Sequence, residues 1–253
     1  MASLSVVIIT FNEERNIGRC LESVKTVADE VVVLDSFSTD ATRAICEMHE
    51  VRFVQHTFDG HIQQKNRVMA LATHDLVLSL DADEALTPEL AQSVFDFKTE
   101  PDGKAGEMNR LTNYCGRWVR WSGWYPDKKS RLWNRNDGKW GGVNPHDKVI
   151  LNDGVTIKHL KGDLLHYSYY SAEDHYKQIE FFSRIAAREL FERGKRVSDT
   201  VILLKVVAQW CKSFLLKMGF VDGKTGWLIA SRSAFATKRK YSLLKKMWDD
   251  KRG

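Results

Sequence analysis

An α/β fold, a mostly parallel sheet flanked by helices and followed by a basic, amphipathic helical extension, is predicted from this sequence on three observations. Short β-branched runs alternate with helix-period segments over the first 95 residues, as in strands joined by helical crossovers. Polar clusters (TFNEE, DSFSTD and DADE) close three of the apolar runs, and a doubly wound sheet binds its ligands at the carboxyl ends of its strands. The charge is also divided. Residues 193–253 carry 15 Lys and Arg against four Asp and no Glu, +11, leaving −6 for residues 1–192, so the two regions are expected to meet different partners.

Each element follows in order. Ser5 to Thr10 (SVVIIT) reads as a buried parallel strand, and Glu13 to Val24 as a helix with Ile17, Cys20, Leu21 and Val24 on one face. Glu30 to Leu34 is the second strand, and Asp40 to His49 a helix capped near Ser38 to Asp40. Val51 to Gln55 is the third strand, Ile62 to Ala72 is helix-compatible, Asp75 to Leu80 is the fourth strand, and Pro88 opens a helix. Residues 101–109 read as a surface loop. Beyond them Trp118, Trp121, Trp124, Trp133 and Trp140 alternate with Arg110, Arg117, Arg120, Arg131 and Arg135, which suits a stacking surface for sugar faces or bases, or a strand-rich half-core. Ser171 to Gly194 is helical. Ser198 to Gly219 reads as one apolar helix with Gly219 as its C-cap and a polar stripe at Lys205, Gln209, Lys212 and Ser213. Lys238 to Trp248 is basic with Leu243, Leu244, Met247 and Trp248 interleaved.

At 253 residues and 43% apolar the chain can bury a substantial core without disulfides. Cys20, Cys46, Cys115 and Cys211 form no C-x-x-C pair, no secretory leader pattern precedes the first strand, and no window reaches the ~18 apolar residues of a membrane span. The expected setting is cytoplasmic, on the inner face of the inner membrane, with the amphipathic tail making a peripheral contact with anionic lipid. A helix packed on its own domain, or a homodimer through the tail, is the alternative.

The chemistry is carried by LSLDADE, where Asp81 and Asp83 end an apolar strand. Two carboxylates there can face a hard cation or nearby hydroxyl groups. Mg²⁺ or Mn²⁺ held by one or two carboxylates completes its shell with water and phosphate oxygens and neutralises charge on a departing diphosphate. Ordinary turn and capping roles for these polar residues are the competing reading.

SVVIITFNEERNIGRCLESV, VVVLDSFSTDAT and QKNRVMALATHDLVLSLDADE together resemble the catalytic domain of family-2, GT-A-fold (Rossmann-like) glycosyltransferases. DADE, PHDKV and GFVDGKTGW resemble the lipopolysaccharide-core β-1,4-glucosyltransferase subgroup more narrowly. The resemblance implies a nucleotide-binding half at 1–100, an acceptor-binding half at 101–192 and a tail at 193–253. Thr10, Phe11, Glu13 and Asp35 match nucleotide-binding positions, Asp81 the ribose contact, and Asp83 the ligand of a metal that bridges the diphosphate. Lys65 and Asn66 stand where relatives contact the donor's phosphates or sugar. His166 resembles a late histidine that completes the metal shell, although a buried core histidine reads equally well there. Such enzymes invert the anomeric carbon and need a general base. Asp147 is the candidate, with Glu84 competing and Asp127 third; His146 would orient the base or touch the acceptor, and Trp124 and Asp127 lie in the acceptor half. The implied reaction moves glucose from UDP-glucose to a lipid-linked saccharide. A sugar-phosphate nucleotidyltransferase would show a glycine-rich loop after the first strand, which TFNEERN lacks. Nucleic-acid binding fits poorly with an acidic site and a lysine-bordered apolar tail. A saccharide-binding module without activity fits poorly with an intact set of acids.

Overall fold

The computed structural model describes residues 1–143 and 146–251, the side chains of Val143 and His146 excepted. The chain begins β1 (Leu4–Thr10), α1 (Ile17–Val24), β2 (Glu30–Asp35), α2 (Thr42–Met48), β3 (Arg52–Gln55), α3 (His61–Leu71), β4 (Leu76–Asp81), β5 (Glu84–Leu86) and α4 (Pro88–Phe97). Next come β6 (Lys104–Tyr114), β7 (Arg117–Trp118), β8 (Asp127–Asn134), β9 (Gly138–Val143), β10 (His146–Leu151) and β11 (Thr156–Tyr169). The last part is helical: α5 (Ala172–Glu192), α6 (Asp199–Cys211), a π-turn (Lys212–Leu216), a 3-10 turn (Gly219–Asp222) and α7 (Gly223–Asp250).

The predicted α/β class holds. The main sheet runs β3-β2-β1-β4-β8-β6-β11-β5, with β7 on β6, and β9 and β10 pair separately. The β3-β2-β1-β4 half is parallel, in the register Ile9 beside Leu34 and Asp81, so Thr10, Asp35 and Asp81 end their strands together. The other half is antiparallel from β8 onward. Leu4, Val6, Ile8, Leu78 and Leu80 meet Ile17, Cys20, Leu21 and Val24 of α1 in the core, the helix face that the apolar spacing predicted. Pro88 opens α4 as expected, with Thr87 Oγ1 accepting from the Leu90 N–H at 3.3 Å.

Three expectations are corrected. The first helix starts at Ile17 rather than Glu13, because side chains following β2 take the backbone N–H groups of 12–14: Ser38 Oγ accepts from Asn12, Thr42 Oγ1 from Glu13 and Asp40 Oδ2 from Glu14. The expected loop 101–109 is mostly strand, since β6 starts at Lys104. Gly106 is there because a Cβ would sit 3.0 Å from both Leu132 and Leu160; it fits a crowded strand rather than a turn. Gly219 is not the cap of α6, since Met218 takes the left-handed conformation (φ 53°). Gly219 instead admits close backbone approach, and a Cβ on Gly226 would lie 1.7 Å from the Gly219 carbonyl oxygen.

The chain divides into two compact units, Met1–Arg110 with Asp127–Tyr167, and Leu111–Pro126 with Ser168–Gly253. In the second, α5 begins with a capping box between Ser171 and Asp174, and α7 packs along α5 and α6. Tyr114, Trp124, Tyr169 and His175 form one aromatic cluster, with His175 Nδ1 3.1 Å from the Tyr114 hydroxyl. Burial, assisted by Arg232, pushes His175 down from 6.5 to about 4. Its folded form therefore refuses a proton that the unfolded chain takes. Stability should fall as pH drops from 6.5 toward 4, by up to about 3 kcal/mol. Urea denaturation at pH ~7.5 and ~4.5, on the wild type and His175→Phe, checks this; an equal pH effect in both proteins would exclude His175 as its source.

Candidate active site

Of the sequence-predicted residues, Thr10, Phe11, Glu13, Asp35, Asp81, Asp83 and Glu84 lie at or just beyond the carboxyl ends of β1, β2 and β4. The loops after β1 and β2 interlock through polar side chains: Asn12 Oδ1 accepts from the Thr39 N–H, and Glu14 Oε2 from that of Ala41. Much of TFNEE and DSFSTD therefore serves the turn chemistry that was the competing reading. Three members stand apart. Thr10 is buried, and its Oγ1 has no partner among the described residues. Asp35 is fully buried, held by the Ser38 N–H and hydroxyl and by Gln55 Nε2 at 3.0 Å. Phe11 is 56% exposed, an unusual state for a large apolar ring beside a buried polar pair.

The acids of LSLDADE are not left as naked charge. Lys65 on α3 is buried, its Nζ 3.0 Å from Asp81 Oδ1 and 2.8 Å from Asp147 Oδ2 on β10. Arg131 on β8, 3% exposed, reaches Asp81 Oδ2 at 3.0 Å and Glu84 Oε1 at 2.6 Å. Both cations lie over the Trp140 ring, at 4.2 and 5.2 Å from its centre, whose indole N–H donates to Ser79 Oγ. Burial alone would raise Asp81, but Lys65 and Arg131 outweigh it and hold the carboxyl well below the usual range. Arg131 is raised above its ordinary value by Glu84 and Asp81, against the burial that would lower it. The first unit thus builds a layer of alternating charge beneath its acidic rim.

Glu84 lies wholly inside this layer, with one oxygen on Arg131 and the other accepting the Asp81 N–H at 3.0 Å. A side chain so enclosed orients Asp81 and Arg131 and has no open path to an acceptor hydroxyl. Asp127 pairs with Arg110 at 2.7 Å and Lys129 at 2.9 Å; burial raises its carboxyl, and these cations lower it further than that. The Asn66 amide is taken up by the main chain of Trp140, donating at 2.9 Å and accepting at 3.0 Å, so it ties α3 to β9. Trp124 belongs to the second unit and its aromatic cluster. The side chain of His146 lies outside the described residues.

Asp83 is separated from that layer. Its Oδ2 lies 3.2 Å from His166 Nε2, and His166 on β11 pairs with Glu84 of β5. Burial lifts Glu13 from 4.5 to about 7; the hydrogen bond from Asn16 opposes this, and Asp83, Asp40 and Asp81 add to it. Among the described residues no group of three or more His, Cys, Asp and Glu is gathered to hold a metal unaided. Asp83 and His166 do fit a site whose remaining ligands are phosphate and water oxygens, because their donor atoms converge and both side chains are partly open, 22% and 16% exposed.

The model of glycosyl transferase family 2 matches residues 5–153, more than half of the chain. The chain belongs to that family. Glycosyltransferase relatives run nearly its full length: an uncharacterised glycosyltransferase of Rickettsia conorii is 31% identical over 96% of this chain and 91% of its own, and one of Rickettsia typhi 30% over 93% and 84%. A lipopolysaccharide core biosynthesis glycosyltransferase of Rhizobium meliloti is 23% identical over 95% and 93%. Among solved structures, glucosyl-3-phosphoglycerate synthase from Mycobacterium tuberculosis is similar over 44% of each chain at 23% identity, with a TM-score of 0.38. As a family-2 glycosyltransferase the protein takes its sugar from a nucleotide sugar.

Sequence reading missed the partners that the buried cations meet. The Trp- and Arg-rich stretch follows both of its expected readings: Arg131, Trp133 and Trp140 are buried as in a strand-rich half-core, and Trp118 and Trp121 are exposed. A signal was present: in S-R-L-W, Arg131 shares strand parity with Trp133, and a charge on the side of a large apolar neighbour is an inward charge.

Proposed function

We propose that this family-2 enzyme transfers glucose from UDP-glucose, with inversion and with the help of Mg²⁺ or Mn²⁺, to a lipid-linked saccharide such as a lipopolysaccharide inner core. The observation that carries the reading is the common end of β1, β2 and β4, where Thr10, Asp35 and Asp81 meet, with Asp147 joined to Asp81 through Lys65. The Rhizobium meliloti relative supports the acceptor class. Nucleotide binding is assigned to residues 1–100, acceptor recognition to 101–192 and a peripheral membrane contact to the tail at 193–253.

In this mechanism Phe11 supplies a ring against the base, while the buried Thr10 and Asp35 hold the β1 and β2 ends that carry the nucleoside site. Asp83 and His166 would hold the cation, which when bound neutralises charge on the departing diphosphate. Lys65 and Arg131 fix the carboxylate of Asp81, and Glu84 holds its backbone N–H. Asp147 takes the acceptor hydroxyl's proton as that oxygen attacks the anomeric carbon, and Lys65 fixes its Oδ2. Glu84 is passed over as the base because both of its oxygens are engaged in a sealed layer.

Calorimetric titration with UDP, GDP and UDP-glucose, with and without Mn²⁺, tests the donor. UDP binding that requires Mn²⁺ and exceeds GDP binding is expected. GDP preferred over UDP, or no nucleotide bound under either condition, would overturn the assignment.

A further inference from the structure

In the second unit, α6 and the turns after it leave a broad apolar face uncovered. Ile202 and Ser213 point inward, while Leu203, Leu204 and Leu216 are 63, 64 and 78% exposed. Val207, Leu215 and Phe220 continue the same exposed surface. At 100° per residue Leu203, Leu204, Val207 and Leu215 share one face of α6 and its π-turn, and Lys205 and Lys212, two turns apart, border it. Along that border α6, the π-turn and α7 flank an open cleft of about 240 Å³ lined by Lys205, Lys212 and Lys240 with Gln209, Thr237 and Tyr241. Among the described residues no carboxylate lines it. Among the described residues these three lysines make no salt bridge, and the Lys205 and Lys240 ammonium groups lie 5.3 and 4.7 Å from the centre of the Tyr241 ring.

We infer that this surface docks on a bilayer, its apolar side chains entering the acyl boundary and the three-lysine cleft holding the phosphate of an anionic lipid headgroup. The inference deepens the lipid-linked acceptor reading but stands on the second unit alone. Large apolar side chains exposed together on one helix face mark an interaction surface, and a helix lying in the membrane interface combines such a face with a cationic border. A second copy of this chain is the poorer occupant. A two-fold contact sets the same patch against itself and would bring two sets of unpaired lysines together. No described helix is long and apolar enough to cross a membrane, so the contact lies in the interface. Of the basic stretch Lys238 to Trp248, Lys240 and Tyr241 line the cleft, whereas its apolar residues turn partly inward. Leu244 is fully buried, and the Trp248 indole donates to the Lys195 carbonyl at 2.7 Å and packs on Phe191.

Co-sedimentation of the full chain with phosphatidylcholine vesicles, with and without about 30% phosphatidylglycerol, tests it. Each lysine near an anionic surface contributes about 1 kcal/mol. The wild type should therefore bind the anionic vesicles at least ~10-fold more tightly than the neutral ones. Lys205→Glu/Lys212→Glu/Lys240→Glu should abolish that preference, and Leu203→Gln/Leu204→Gln should weaken binding to both vesicle types. Both variants should keep the wild-type circular dichroism and Mn²⁺-dependent UDP binding, a readout of the donor assignment that is independent of lipid. Wild-type binding that ignores lipid charge, or none at all, overturns the proposal. So does a wild-type dimer that Leu203→Gln/Leu204→Gln turns into a monomer, which would make the face a self-association surface. If UDP binding fails while vesicle binding follows the pattern above, the donor assignment falls and the membrane face stands.

Discussion

Asp83→Ala is expected to lower Mn²⁺-dependent turnover of UDP-glucose by on the order of 10³-fold while leaving the protein folded. The size follows from removing a ligand of a cation that supplies several kcal/mol of charge stabilisation. The intact fold follows from the modest contacts of Asp83, whose side chain meets the partly exposed His166 at 3.2 Å. UDP release followed with and without Mn²⁺, alongside a thermal melt, separates the two effects. Turnover within a few-fold of wild type would move the metal away from Asp83, whereas a collapsed melting transition would show that the residue is structural.

Arg131→Met should act in the opposite way, on stability first. The guanidinium is the cation that Glu84 touches inside the sheet, and Glu84 has no exposed side-chain surface. Its removal leaves the buried Glu84 carboxylate with only the longer contact to Arg110, 3.6 Å away, and takes one of two cations from Asp81. Breaking a buried pair outright costs about 3–5 kcal/mol, and the remaining Arg110 sets the expectation at the lower end of that range. Urea denaturation should record a loss of about 3 kcal/mol, and Arg131→Met/Glu84→Gln should recover part of it because the poorly compensated charge is removed as well. A loss below about 1 kcal/mol in the single variant would mean that Arg110 alone compensates Glu84.

The parallel half of the fold was legible because its signals are local. Each of β1, β2 and β4 is an apolar run closed by a polar residue, and the face of α1 is written at helical spacing in Ile17, Cys20, Leu21 and Val24. The antiparallel half was not, because β6 carries Gly106 for the sake of Leu132 and Leu160, side chains far away in sequence. The acids of the site were legible from D-x-D at a strand end, but their counter-ions were not. Lys65, Arg131 and Arg110 come from α3, β8 and β6 and meet the acids only through the tertiary fold. The same limit applies to the tail. Composition shows that it is apolar and basic, but only packing decides that the α6 face is open and that Leu244 of α7 is buried.

The single ammonium group between Asp81 and Asp147 has a thermodynamic consequence. Lys65 Nζ is shared at 3.0 and 2.8 Å, so whatever competes for it at one carboxylate changes its hold on the other. Such linkage is reciprocal: occupancy near Asp81 alters the free energy of events at Asp147 by the same amount that events at Asp147 alter occupancy near Asp81. The two carboxylates come from different strands, β4 and β10. One side chain on α3 therefore makes them a linked pair.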